Sequence, residues 1–336
     1  MSQRTLKGLA RYVWAVLAYT MGVILWGAYV RISGSGAGCG RHWPLCNGEV
    51  IPRPERLETI IELTHRLTSG VAGVLVLGML VWAFRAAPRG HPVRLSAAVS
   101  TALIVVEGLL GAGLVRFELV AENRSAFRAG AMALHLANTF LLLGAIALTG
   151  WWASGRPRVR LRWGGGAALL LCGLAATLLV GATGAVTALG DTVFPRMELG
   201  ANPSTTRHFL ERLRVVHPVM AVLTTILVIF AARRAARARP DRRTRRLASA
   251  VATLFVVQVA AGALNIVLLV PAWMQLVHLL LADFAWLALV LLSASALAAP
   301  PPFQELSNVR NDAADRQDAP HPSIRRGEGS AISGGA

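Results

Sequence analysis

Charge is scarce in this sequence. Only 15% of its 336 residues are Asp, Glu, Lys or Arg, against roughly 25% in a soluble domain. The shortage argues against a water-soluble globule and for a membrane protein. Acids are scarcer still: 17 Asp and Glu stand against 34 Lys and Arg, a formal charge of +17. In a soluble chain that balance would point to nucleic acid. Here the basic residues lie in short loops between apolar runs. They read as topology signals and contacts to anionic lipid, and nucleic acid is set aside as a partner. Cysteine is also scarce, with three in all. Cys172 lies inside an apolar run and reads as a small packing residue. Cys39 and Cys46 share one polar loop.

What is abundant is apolar sequence, 54% of the chain. A spanning helix needs about 20 mainly apolar residues. Spans are expected near 10–30, 61–84, 95–115, 129–152, 164–187, 214–232, 247–270 and 272–298. The fold class is therefore all-α: a polytopic membrane protein of eight transmembrane helices. The first run could pass for a signal peptide, but it is about 20 residues long and ends in Trp26 and Tyr29. That suits a retained span with an interfacial belt.

Loop charges set the orientation. One side holds Arg4, Lys7 and Arg11, then Arg85, Arg89 and Arg94, then four arginines between Arg156 and Arg162. It also holds eight arginines between Arg233 and Arg246. Its single loop acid is Asp241. The positive-inside rule makes this side cytoplasmic, with both termini on it and the cell inner membrane as the location. Residues 299–336 are polar and rich in Pro, Gly and Ser, and read as a disordered cytoplasmic tail.

The chain also repeats itself. ELTHRLTSGVAGVLVLGMLVWAFR at 62–85 resembles RVVHPVMAVLTTILVIFAARR at 214–234, with the histidines 152 positions apart. HLANTFLLLGAIAL at 135–148 resembles HLLLADFAWLALVL at 278–291, offset by 143. EGLLGAGLV at 107–115 matches QVAAGALNIV at 258–267, offset by 151. The expected organisation is two tandem four-helix units, 8–152 and 164–298, joined by a cytoplasmic linker at 153–163 and related by a pseudo-twofold axis along the membrane normal. An even number of helices per unit makes equivalent sites face the same side.

Eight histidines are present. His42, His91, His208 and His321 fall in loops or the tail and read as solvated. His65, His135, His217 and His278 fall near the starts of even-numbered spans, so they gather at the outer end of the bundle, two per unit. Ionisable groups in membranes are costly and usually functional. Paired imidazoles suit axial ligation of haem iron. A zinc or di-metal site would normally add carboxylates or thiolates, and a structural role for the four is the bland alternative. The units differ at one position. Glu62 precedes His65 by three residues, on the same helical face, where Arg214 precedes His217. One pair could serve a substrate and the other a cofactor; equally, Glu62 could simply pair with Arg66. Cys39 and Cys46 could form a structural staple or a redox couple. Glu107 and Asp283 are further intramembrane acids with no assigned role.

At these residues the chain resembles the haem A synthase family. The features that carry the resemblance are Arg31, Ser35 and Gly36, then Cys39-x6-Cys46 enclosing Trp43-Pro44-Leu45, then Glu62-x2-His65-Arg66, then His135, His217 and His278. The resemblance covers about residues 8–298. It implies an oxidoreductase that converts the C8 methyl of haem O to a formyl group, giving haem A for cytochrome oxidase. It implies His65 and His135 flanking the substrate haem, and His217 and His278 ligating a haem b cofactor. It implies Glu62 near the reacting methyl, a Cys39–Cys46 disulfide, and Arg31 and Arg66 as propionate or loop contacts. The partner implied is haem O as substrate; haem O synthase, cytochrome oxidase assembly factors and a second copy of the chain are open as further partners. Gly40-Arg41-His42 departs from the Pro-Asp that many relatives carry before Trp-Pro-Leu-Cys. The competing reading is a di-haem membrane cytochrome that passes electrons to or from quinone and leaves haem unmodified.

Overall fold

The computed structural model describes residues 3–50, 52–53, 56–160, 164–194 and 208–298. Among them the chain forms α1 (Gln3–Ile32), α2 (Leu57–Ala86), α3 (Pro92–Arg116), α4 (Ala126–Ala153) and α5 (Gly165–Val193). A short α6 (Phe209–Leu213) leads into α7 (Val216–Ala238), followed by α8 (Arg242–Val267) and α9 (Ala272–Ala296). No strand occurs among the described residues; a 3-10 turn covers Ser35–Ala37. Eight segments are long and apolar enough to cross a membrane, with Phe209–Ala238 counting as one. The protein is an all-α, multi-pass membrane protein. The expected tail at 299–336 and part of the linker, 161–163, lie outside the described residues.

Local signals explain most helix ends. Pro88 follows the end of α2, since proline cannot continue a helix. Pro92 opens α3 at its first turn, where its missing N–H costs nothing. Ser125 caps α4 by accepting the Arg128 N–H, and Asp241 caps α8 by accepting those of Arg243 and Thr244. The arginine-rich stretch is less of a loop than its charge suggests. Residues 233–238 continue α7 and 242–246 open α8, leaving 239–241 between them. Long basic stems can lie along a helix end while their heads reach water.

Two histidines read as solvated loop residues turn out to be caps. The ring Nδ1 of His91 accepts the Val93 N–H, and that of His208 accepts the Leu210 N–H. Burial, and then the positive charge of Arg158, hold His91 below the ordinary imidazole range. Cys172 is exposed on α5 rather than packed. Within an apolar membrane helix, composition does not tell the buried face from the lipid-facing one.

Helices α4 and α9 form the centre. Phe140 stacks on Trp286 with ring centroids 5.5 Å apart, and Trp286 Nε1 donates to the Phe140 carbonyl. Around them, α1 packs on α2, α4 and α9, and α5 on α4, α7 and α9. Helix α3 packs on α2 and α4, and α8 on α7 and α9. Lipid removes most of the hydrophobic drive between helices, so close packing must supply the contact energy. Glycine makes that closeness available: a Cβ on Gly181 would stand 2.9 Å from the Phe140 ring, and one on Gly150 2.9 Å from Trp14.

Candidate functional site

The loop after α1 folds back onto the start of α2. Gly38 lies so close that an added Cβ would stand 2.5 Å from the Glu58 carbonyl carbon. Thr59 Oγ1 donates to the Gly38 carbonyl at 2.8 Å. Cys39 and Cys46 form a disulfide with Cα atoms 4.4 Å apart, both fully buried. The Cys39 N–H donates to Glu62 Oε2 at 2.8 Å. Arg66, one turn along α2, donates to Glu62 Oε1 through Nε at 3.1 Å and also through Nη2. Its Nη1 donates to the His42 and Leu45 carbonyls, both at 2.6 Å. Glu62 does pair with Arg66, then, and it is also held by the disulfide loop. It is 3% exposed, a carboxylate fixed from two sides. Most of the Arg66 donors are thereby committed.

Each of the four helix-borne histidines is half-buried. Three lie in glycine notches on a neighbouring helix. A Cβ would stand 2.7 Å from His65 Cε1 if placed on Gly27 of α1, 3.0 Å from His217 Cε1 if placed on Gly184 of α5, and 3.1 Å from His278 Cε1 if placed on Gly262 of α8. His65 and His135 interact electrostatically, as do His217 and His278. His135 stands differently from the rest: its Nδ1 lies 3.2 Å from Glu107 Oε1 on α3.

The equivalents of Glu62 and Glu107 in the second half carry other chemistry. Arg214 pairs with Asp191 at 2.9 Å and donates to the Gly190 and Phe194 carbonyls. Gln258 donates to the His278 carbonyl at 3.1 Å and approaches its Nε2 at 3.4 Å. Arg31 does not join the Glu62 group. It donates to the Ala188 carbonyl at 2.8 Å, to Thr192, and to Gln275 Oε1 at 3.1 Å, tying α1 to α5 and α9. Asp283 is fully buried, and neither carboxyl oxygen has a hydrogen-bond partner. The glycine notches and the Glu107–His135 approach are not apparent from the sequence; the only signals were glycines inside apolar runs and an acid that the second repeat replaces by Gln.

The histidines fit haem iron on the structure's own terms. Nδ1 of His65 and of His278 is buried without a hydrogen-bond partner, while that of His135 lies against Glu107. Buried polar atoms in this state are rare and call for a partner such as an ion. The His217 Nδ1 lies 3.3 Å from the Thr183 hydroxyl. Among the described residues no three His, Cys, Asp or Glu side chains gather as a metal-ion cage. Imidazoles that gather only in pairs suit iron already held in a porphyrin better than a bare ion.

Fold and site together define a class: an eight-span membrane protein with four helix-borne histidines, three of them glycine-notched, and a clamped carboxylate on α2. The model of the cytochrome oxidase assembly protein family (COX15-CtaA) matches residues 10–290, and the chain belongs to that family. Among curated relatives, a "Protoheme IX farnesyltransferase" of Thermus thermophilus is 51% identical over 296 residues, which is 86% of this chain and 48% of that protein. A "Heme A synthase" of Geobacillus kaustophilus is 43% identical over 113 residues, 34% of this chain and 35% of that protein. One from Alkalihalophilus pseudofirmus is 38% identical over 126 residues, 38% of this chain and 40% of that protein. The chain spans about half the length of the first of these and less of the others. The expected likeness to haem A synthases is therefore borne out.

Proposed function

We propose that the chain is a haem A synthase, an inner-membrane oxidoreductase that converts the C8 methyl of haem O to a formyl group. The observation that carries this reading is Glu62: a buried carboxylate, clamped by Arg66 and the Cys39 N–H, one turn from His65, with an arginine at the equivalent place in the other half. A site that only passed electrons would have no use for such an asymmetry. The change from methyl to formyl adds one oxygen and removes two hydrogens; with water as the oxygen source it releases four protons and four electrons, and an external electron acceptor takes the electrons. A carboxylate held in place is suited to accepting those protons or stabilising positive charge as it develops.

In this reading His65 and His135 hold the substrate haem in a first unit, residues 8–152. His217 and His278 hold haem b in a second unit, residues 164–298. Bound haem b would supply a one-electron carrier. Arg66 keeps Glu62 oriented, and the disulfide loop covers it from the outer side. Both termini are cytoplasmic. Haem O enters as substrate, made by a haem O synthase, and the product goes to cytochrome oxidase assembly. The name of the Thermus relative refers to a prenyl transfer. That chemistry handles a diphosphate, usually through Mg²⁺ on carboxylates. No acidic cluster of that kind occurs among the described residues, and about half of the relative lies outside the match.

The test is Glu62→Ala in the purified membrane protein supplied with haem O, with the extracted pigments analysed by mass. We expect haem O or a partly oxidised derivative to accumulate, with bound haem b unchanged. Unimpaired formation of haem A, or none by the wild type with any redox partner, would refute the proposal, and the second outcome would leave the di-haem cytochrome standing. His217→Ala and His278→Ala should each strip the permanently bound haem b. A wild-type haem spectrum in both would remove that ligand assignment.

A further inference from the structure

Glu107 on α3 and Gln258 on α8 occupy equivalent places in the repeat, 151 positions apart. Glu107 is a largely buried carboxylate, its side chain 17% exposed. Two donors from α4 fix it. Asn138 Nδ2 donates to Oε2 at 2.6 Å, and the Thr139 hydroxyl, shared with the His135 carbonyl, reaches Oε1. Both donors are buried. His135 comes from the same helix, its Nδ1 3.2 Å from Oε1. The angle is not that of a formed hydrogen bond, and Nδ1 has no other partner; a turn of the ring completes the contact.

The second half lacks this arrangement. Leu281 and Ala282 stand at the positions equivalent to Asn138 and Thr139, at the offset of 143. Gln258 offers an amide N–H to His278, not an anionic acceptor. A histidine ligand commonly gives its second ring N–H to a carboxylate, which fixes the tautomer and raises the ligand's basicity. A more basic imidazole favours ferric over ferrous iron, and ligand and hydrogen-bond effects of this kind set haem potentials.

We propose that Glu107 is a positioning residue for the first-half haem. It accepts the Nδ1–H of His135, presents Nε2 to the iron, and holds that iron at a lower potential than an amide would. Asn138 and Thr139 keep it there. This rests on the reading of His135 as a haem ligand. The two halves then differ at two carboxylates, Glu62 beside one ligand and Glu107 behind the other.

The experiment uses the full chain purified from cells with ample haem and loaded with haem b. Each haem is titrated for its reduction potential, and its ferric EPR g values are recorded. Glu107→Gln copies Gln258. It should shift the first-half ferric–ferrous equilibrium about tenfold toward ferrous, roughly 59 mV for one electron, and move the g values of that haem alone. Asn138→Leu copies Leu281 and should shift both in the same direction by less. If Glu107→Gln fails to fold, Asn138→Leu decides. A first-half haem retained with unchanged potential and g values overturns the proposal. His135→Ala separates the two levels: if it leaves both haem signals intact, the ligand reading itself has failed, and the proposal falls with it.

Discussion

At the scale of single residues, the loop after α1 acts through Glu62. The Cys39 N–H is a backbone donor, so its position depends on the loop's shape, and the Cys39–Cys46 disulfide helps to hold that shape. Cys39→Ser should loosen the contact without removing it, since the backbone N–H and Arg66 remain. We expect haem O turnover to fall roughly fivefold, the equivalent of about 1 kcal/mol. Wild-type enzyme treated with reductant should match the variant if the disulfide is a staple. A wild type that loses far more activity on reduction than Cys39→Ser does would assign the pair a redox role. The glycine notches are a second kind of residue effect. Gly262→Val would put methyl groups where the His278 ring lies, since even a Cβ would come within 3.1 Å. That variant should lose bound haem b, measured as haem absorbance per protein. Full haem content would show that the notch does not set the ring.

At the scale of elements, the helix starts are where pH enters. His91 caps α3 through a neutral Nδ1. Its folded pKa lies below the ordinary value of about 6.5, first through burial and then through Arg158. A depressed pKa means that the unfolded state binds the proton more readily. The cap's contribution is therefore complete above about pH 6.5 and is lost as the pH falls below it. We expect wild type to exceed His91→Ala by about 0.5–1 kcal/mol at pH 8, and the gap to narrow as the pH falls below about 6.5. Thermal unfolding in detergent across that range measures it. A constant gap would show that the Nδ1 cap contributes nothing. The elements also explain why the arginine-rich connection looked longer from charge than it is: Asp241 lets α8 begin directly among its arginines.

At the scale of the whole molecule, one side chain of the first half of the sequence bonds to two helices of the second. Arg31 leaves α1 and bonds to α5 and α9 at once. A planar fork of donors can serve several acceptors in this way, whereas an ammonium on a flexible stem cannot hold the same geometry. Arg31→Ala should cost about 1.5–3 kcal/mol, the range for hydrogen bonds to a charged group, seen as a lower melting temperature in detergent. Arg31→Lys should recover little of it. A variant that melts as wild type does would show that the seam is held by the α4–α9 packing around Trp286 alone.

By itself, the sequence determined the membrane class, the eight spans and the correspondence between the halves. These depend on run length, loop charge and periodicity, all of which are local along the chain. It also singled out Glu62, the four histidines and the two loop cysteines, because residue types so costly in a membrane stand out against apolar surroundings. Only the tertiary structure decided which groups meet. It set Arg31 against α5 and α9, turned His91 and His208 into caps, and exposed Cys172. It seated three imidazoles against glycines on other helices, and it brought Glu107 to His135. The reason is physical. Within a bilayer every face of a helix is apolar, so composition does not reveal which face packs; close approach between helices settles that, and it depends on residues far apart in sequence.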